Sequence, residues 1–417
     1  MTALYLYDDG PARTFEPFAS TRPISEMVAG VALIRDRWAM ALQPGGRAFF
    51  LAGDRHLTFE EPGAAPPATG LIPAGSIIAN ARCAPKIPAD ISRAAQRAAT
   101  CSLWRSGPRL AAVRTRDPID AAALTDGSFA LEDLHAGTGA VADVQGWWID
   151  DVWDFIRLLP EQLASDIEQL AAQPAGRPEM TAVPAHVTRL GTHRVMMADV
   201  DVEPLVILDA SAGPIMIGRG SRIRAFTRIT GPCYIGEDVT VLGGEITGCS
   251  IGPVSKVRGE LNNSVFVGHS NKGHDGFVGH SYLGRWVNLG AGTITSNLKN
   301  TYGTVSLWTP SGVHDTGMQF LGTMFGDHVK TGIGLRLTTG TVLGAGANVY
   351  GEMPPKIVAP FSWGSGPPYS VYRADKFVEM AERMMSRRHV ELTDGARRHL
   401  TSVHAGRWTV DADTEET

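Results

Sequence analysis

The 417-residue chain carries a formal net charge of −5 with Lys and Arg spread evenly, which excludes the basic stripe that nucleic acid requires. No stretch approaches the roughly eighteen uncharged apolar residues of a membrane span, and the opening residues, interrupted by Asp8 and Asp9, have neither a basic region nor a cleavage site for export. A soluble, cytoplasmic protein of two or three domains is expected, with neither nucleic acid nor membrane as a partner.

Residues 1–145 read as mixed α/β: a short strand from Leu4 to Tyr7, a helix-like stretch from Ile24 to Leu42, a strand around Ala48 to Ala52, then a loop rich in Pro and Ala. No glycine-rich phosphate loop is present. Residues 146–180 read as a helical linker, since Trp147 to Ala172 places apolar residues at helical spacing, broken by Pro160. Cys83, Cys101, Cys233 and Cys249 lack any C-x-x-C spacing, so reduced structural thiols are expected.

From 181 to 355 the composition shifts to glycine and the charges thin out. Ile217, Ile223, Ile229, Ile235 and Val241 follow one another at an interval of six, and the beat returns at Ile251 and Val257, at Leu283 and Leu289, and at Leu337, Leu343 and Val349. Six residues that point one aliphatic inward make one flat side of a triangular coil, and stacked coils form the core. The spacing predicts a left-handed parallel β-helix of hexapeptide repeats. A β-sandwich would alternate with period two instead.

Residues 356–417 comprise a Pro, Gly and Trp-rich closing segment, an amphipathic helix from Tyr372 to Arg388, and an acidic end, 411–417, expected to lack order.

Function must come from residues that break the repeat. The largest break is Ser270-Asn271-Lys272-Gly273-His274-Asp275-Gly276. A neutral imidazole suits removal of a proton from an amine that attacks a thioester, so His274 is the candidate general base. Downstream, the small residues from Asn288 to Asn297 offer backbone on which a pantetheine arm could lie. His269 and His274 also have a spacing open to zinc, but a third histidine on an adjacent coil is missing, with His193 far upstream and His280, His314 and His328 downstream. No metal is expected there. A β-helix presents flat faces, so clefts should lie between the subunits of a homotrimer.

The stretch from His274 to Asn297, with N-L-G-A-G-T-I-T-S-N opening fourteen residues after the histidine, resembles the acetyltransferase half of the bifunctional N-acetylglucosamine-1-phosphate uridylyltransferase and glucosamine-1-phosphate acetyltransferase family. The whole chain is similar to a divergent branch of sugar nucleotidyltransferases related to that enzyme, through Thr21-Arg22-Pro23-Ile24-Ser25-Glu26, S-N-K-G-H-D-G-F and Phe361-Ser362-Trp363-Gly364. The resemblance implies an N-terminal α/β nucleotidyltransferase-like domain, then the β-helix and a C-terminal helix. It implies His274 as base, Asn288 on the sugar, and Ala291, Asn297 and Ala345 along acetyl-CoA. This sequence departs from the family pattern at Phe277, where a tyrosine is expected, at Asn262 for a lysine, and at Asp327 for a serine. Lys272, with Lys256 or Arg258, is a candidate replacement for the phosphate-binding lysine.

In the first domain, only Asp8-Asp9-Gly10 and Thr21-Arg22-Pro23 remain as candidates for magnesium and phosphate, so Mg2+ is expected only if that domain is active, and Arg22 is its candidate phosphate ligand. The resulting expectation is an acyl-CoA-dependent N-acyltransferase acting on an amino sugar phosphate or nucleotide sugar. Two alternatives stand beside it: a sugar-1-phosphate nucleotidyltransferase that the β-helix merely trimerises, and a non-catalytic sugar-nucleotide binding protein.

Overall fold

The computed structural model describes residues 2–173 and 181–410. The acidic end, 411–417, and the last part of the expected linker, 174–180, lie outside the described residues.

The N-terminal domain is built on one mixed sheet of β1 (Thr2–Tyr7), β2 (Gly45–Leu51), β3 (Ile77–Asn80), β4 (Cys101–Ser106), β5 (Arg109–Arg114) and β6 (Ala140–Asp143), in the order β6-β4-β5-β3-β1-β2. β1 runs parallel to β2 and β3, and β5 runs antiparallel to β3 and β4. The strand pleat sends Leu4 and Leu6 to one side, with Ile34 and Trp38 of helix α1 (Ile34–Leu42), and Tyr5 and Tyr7 to the other, with Ile72 and Leu110.

Two local expectations are corrected. Only the end of the stretch from Ile24 to Leu42 is α-helical: Ile24–Glu26 is a single 3-10 turn, and Val28–Ala29 pairs with Ala32–Leu33 around Gly30, whose φ of +63° suits the turn. The expected helical linker begins as a strand, since Gly146–Trp148 pairs antiparallel with Cys83–Pro85. With α2 at Ile91–Thr100, the chain then forms α3 (Asp154–Arg157) and α4 (Leu159–Ala172). Pro160 sits in the first turn of α4, where the ring is tolerated because that N–H has no helical partner anyway.

The β-helix follows the hexapeptide beat. Ile217, Ile223, Ile229, Ile235 and Val241 are all buried in one continuous core. One side of the coil is a parallel sheet of nine strands, from Val195–Met197 to Ile357–Val358. Along it Ile217, Ile235, Ile251, Phe266, Leu283, Phe325 and Leu343 point inward, while their neighbours Met216, Tyr234, Val265, Tyr282, Met324 and Val342 point out. These outward residues are apolar because the N-terminal domain covers them: Val265, Tyr282, Met324 and Val342 share a core with Phe18, Phe155 and Leu163. Hydrogen bonds at the seam join Val28 N to the Tyr282 hydroxyl, 2.8 Å, and Ser250 Oγ to Gly30 O, 2.6 Å.

Two features lie beyond the expected repeat. Coil strands continue past 355 through Ile357–Val358 and Ser362–Gly364. Between Ile294–Thr295 and its stacked partner Arg336–Leu337 the chain leaves the coil to form a hairpin, Ser306–Thr309 with Gly312–Asp315, whose neighbourhood buries Val305, Leu307 and Leu321 against the N-terminal domain.

At the C-terminus, α5 (Ala374–Ser386) is the expected amphipathic helix and buries Phe377, Val378, Ala381 and Met385 against Trp286 and Phe361. A second helix, α6 (Asp394–Ala405), was not anticipated; Thr393 caps it through its hydroxyl, and His399 reaches Thr21 O at 2.7 Å. Among the described residues no helix is long and apolar enough to cross a membrane.

Candidate active site

His274 lies in the loop that turns one corner of the coil, between Asn271–Lys272 and Phe277–Gly279, and its side chain is exposed. Strand register explains how the loop is held. Lys272 pairs with Val257 and therefore points inward, into a column of aliphatics. Its buried Nζ donates to Arg258 O at 3.0 Å and to the carbonyl of His274 itself. Burial, against the attraction of Asp275, lowers its pKa to about 8. Lys272 thus anchors the loop from beneath, and its amine is engaged by carbonyls.

The next coil supplies Ala291. Gly292 N donates to Asp275 O at 3.0 Å, which places the His274 loop directly against the Asn288 to Thr293 turn. Gly276 permits this contact: its φ is +138°, and a Cβ there would come within 2.4 Å of Thr293 O. Ala291 O accepts from Gly334 N at 2.7 Å, whereas no partner is found for Ala291 N among the described residues. Asn288 lies one side away in the same turn, and its Oδ1 accepts from Asn271 Nδ2 at 2.9 Å.

The remaining candidates lie elsewhere. Asn297 is at the following corner, where it and Asn263 bracket the imidazole of His280 at 2.9 and 3.2 Å. Ala345 is 1% exposed at a third corner, beneath Phe361, whose N–H it accepts. The residue that follows Ala291 up its own corner is instead Ile333, because the excursion between 295 and 336 displaces the count. Arg22 is 1% exposed and bound to Glu61 and Asp327, so it has no open face for a phosphate.

The carboxylates offered for magnesium do not fit a metal site. Both oxygens of Asp9 hold Arg82 at 2.8 Å, and Asp8 is buried with Oδ2 on Ile24 N. Burial, opposed by that backbone bond, pushes Asp8 up to about 7. No three His, Cys, Asp or Glu side chains converge among the described residues.

Sequence reasoning passed over a second concave region. Lys256, Asn271 and Asn288 stack in register on the outside of the coil, and Arg387 and Arg388 approach them from the end of α5. The adjacent arginines at the helix end were a visible signal; that they meet Lys256 depends on the fold.

Residues 4–174 match the model of a family described as sugar nucleotidyl transferase. Over 122 residues the chain is 37% identical to the bifunctional protein GlmU of Rippkaea orientalis, which covers 24% of this chain and 26% of that protein. Over 91 residues it is 34% identical to a bifunctional sugar-1-phosphate nucleotidylyltransferase/acetyltransferase of Sulfurisphaera tokodaii, covering 22% and 23%. The chain therefore spans about a quarter of the length of these relatives. Among solved structures it is similar to the UDP-N-acetylglucosamine acyltransferase LpxA from Bacteroides fragilis, at 14% identity over 55% of this chain and 92% of that one, with a TM-score of 0.23, too low to say anything of function.

Proposed function

Starting from a chain related to the sugar nucleotidyl transferases and to the bifunctional nucleotidyltransferase/acetyltransferases, we propose that it is an acyl-CoA-dependent N-acyltransferase of an amino sugar phosphate or nucleotide sugar. His274 takes a proton from the amino group as its nitrogen attacks the acyl carbonyl. The N–C bond forms, the C–S bond breaks, and the thiol of coenzyme A leaves with a proton. Ala291 N–H steadies the oxyanion, since a preformed dipole needs no reorganisation.

One observation carries this reading: the Gly292 N to Asp275 O bond sets the loop that bears the exposed His274 against the turn that bears Ala291 N, for which no partner is found among the described residues. Acetyl is the preferred acyl group, by likeness to the relatives. The site is completed between copies of a homotrimer. Leu205 and Phe226, at 63% and 76% exposure, stack on successive turns of the corner that carries His274, and Ile333, at 79%, lies on the same corner beyond Ala291; exposed apolar side chains of this kind suit an association surface. The N-terminal domain acts as a structural partner, because Asp9 and Arg22 are already engaged in ion pairs. The buried, unpaired thiols Cys83, Cys101, Cys233 and Cys249 suit a cytoplasmic setting.

The test is thiol release from acetyl-CoA against a panel of amino sugar phosphates, with pyrophosphate monitored alongside. His274→Ala should lower turnover by about two to four decades. Undiminished transfer by that variant would remove the assignment, and pyrophosphate without thiol would favour nucleotidyl transfer. Phe226→Asp should convert a trimer to monomers by light scattering.

A further inference from the structure

The groove between the coil and the end of α5 encloses about 170 Å³ and is lined by Lys256, His269, Asn271, Asn288, Arg387 and Arg388. Its charge is one-sided. No carboxylate lines it, and neither Lys256 nor Arg387 nor Arg388 has a side-chain partner among the described residues. Elsewhere on the β-helix, Arg258, Arg285 and Arg336 are each paired with a carboxylate. Burial, with Arg387 adding repulsion, lowers the pKa of Arg388, as expected of cations gathered without a counter-charge.

The polar floor favours the same kind of guest. Asn271 donates to Asn288 Oδ1, and no acceptor for the Asn288 amide N–H groups is found among the described residues. His269 lies against Trp286 with ring centroids 4.3 Å apart, and its buried Nδ1 has no partner among the described residues. Trp286 also lines a second cavity of about 140 Å³, whose lining includes Phe59 and Leu392 but also the carboxylates of Glu61 and Asp327, so the one-sided charge is confined to the groove.

We propose that this groove binds the phosphate or pyrophosphate group of a small metabolite. Three cations with amide donors suit a doubly charged, multi-acceptor anion better than a carboxylate. The site does not depend on the transfer reaction, since it can hold a phosphate whether or not His274 accepts a proton. The phosphate can come from a sugar phosphate or from coenzyme A.

Calorimetric titration of the full chain with glucosamine 1-phosphate, coenzyme A and dephospho-coenzyme A tests it. At least one phosphorylated probe should bind, with affinity falling as salt rises, and Arg387→Gln/Arg388→Gln should weaken that binding at least about 10-fold, each charge-assisted contact being worth about a decade or more. Loss of a preference for coenzyme A over its dephospho form identifies the donor's 3′-phosphate as the guest; loss of glucosamine 1-phosphate alone identifies the acceptor. Should the double variant unfold at a lower temperature, Lys256→Gln, at an exposed position of the coil, gives the same reading. The proposal is overturned if no probe binds the wild type, or if the variants bind every probe equally well. Because binding is read without turnover, inactivity of the protein in acyl transfer leaves the result intact.

Discussion

Arg22 of the N-terminal domain and Asp327 of the β-helix form a buried ion pair, Nη2 to Oδ2 2.8 Å, although 305 positions of sequence separate them. Glu61 extends the pair by accepting from Arg22 at 2.9 Å and from Arg285 at 2.8 Å, and Thr21 Oγ1 adds a bond to Asp327 at 2.7 Å. Removing one member of a buried pair strands the other, at about 3–5 kcal/mol, while replacing both by apolar residues is close to neutral. Arg22→Met should therefore lower the first urea-unfolding transition by about that amount, and Arg22→Met/Asp327→Leu should restore most of it. A single variant as stable as the wild type would contradict this.

Acid should weaken the fold before the exposed carboxylates titrate. Burial holds His269 and His280 down to about 4 and His328 down to about 3, with Arg285 assisting at His269 and Lys330 at His328. Unfolded imidazoles protonate at about 6.5, so as pH falls from there toward 4 the unfolded chain binds protons that the folded chain refuses. Each histidine then removes up to ~1.4 kcal/mol of stability per pH unit. Glu61 adds a later loss: burial raises its pKa, but Arg22 and Arg285 outweigh burial and pull it down to about 2. Its contribution is full above the unfolded carboxylate range and disappears as pH falls toward 2. Asp8, held by burial up to about 7, opposes this loss because the fold takes up its proton as pH falls, but the three histidines outnumber it, so urea midpoints measured at pH 7, 6 and 5 should decline; a flat profile would oppose the reading.

Lys272→Met should separate positioning from stability. Methionine fills the inward place beside Val257 yet cannot reach Arg258 O or His274 O. The expected result is a fold close to wild type with kcat about 10- to 100-fold lower and KM little changed, because displacement of a base by an ångström costs that order of rate. Unaltered kcat would show that the loop needs no internal anchor.

Gly276→Ala should disturb the same loop from its other side. The added Cβ would press on Thr293 O, and the backbone there is in the region that favours glycine, so a destabilisation of about 1–3 kcal/mol is expected. Thermal unfolding and thiol release measured together should both decline.

The β-helix was legible because stacking enforces a strict beat: Ile217 through Val241 had to be apolar every sixth place, and they are buried. The His274 loop was legible as a lapse in that beat. What was not legible depended on register and on distant partners. Lys272 looks like a surface cation until its pairing with Val257 turns it inward, and Arg22 looks like a phosphate ligand until Asp327 arrives from the other domain. Ala345 shares a motif with Ala291, yet the hairpin between 295 and 336 moves it to a different corner. Helix α6 went unseen although Thr393 stood as an N-cap, because the segment after it has no long apolar stripe.

A three-sided column with Val265, Tyr282, Met324 and Val342 already covered has only two sides left for company. In the trimer proposed above, the copies would turn those sides toward the axis and carry their N-terminal domains at the rim, like blades on a hub. Enlarging or trimming such a blade would then alter the outline of that assembly without touching the contacts at its centre.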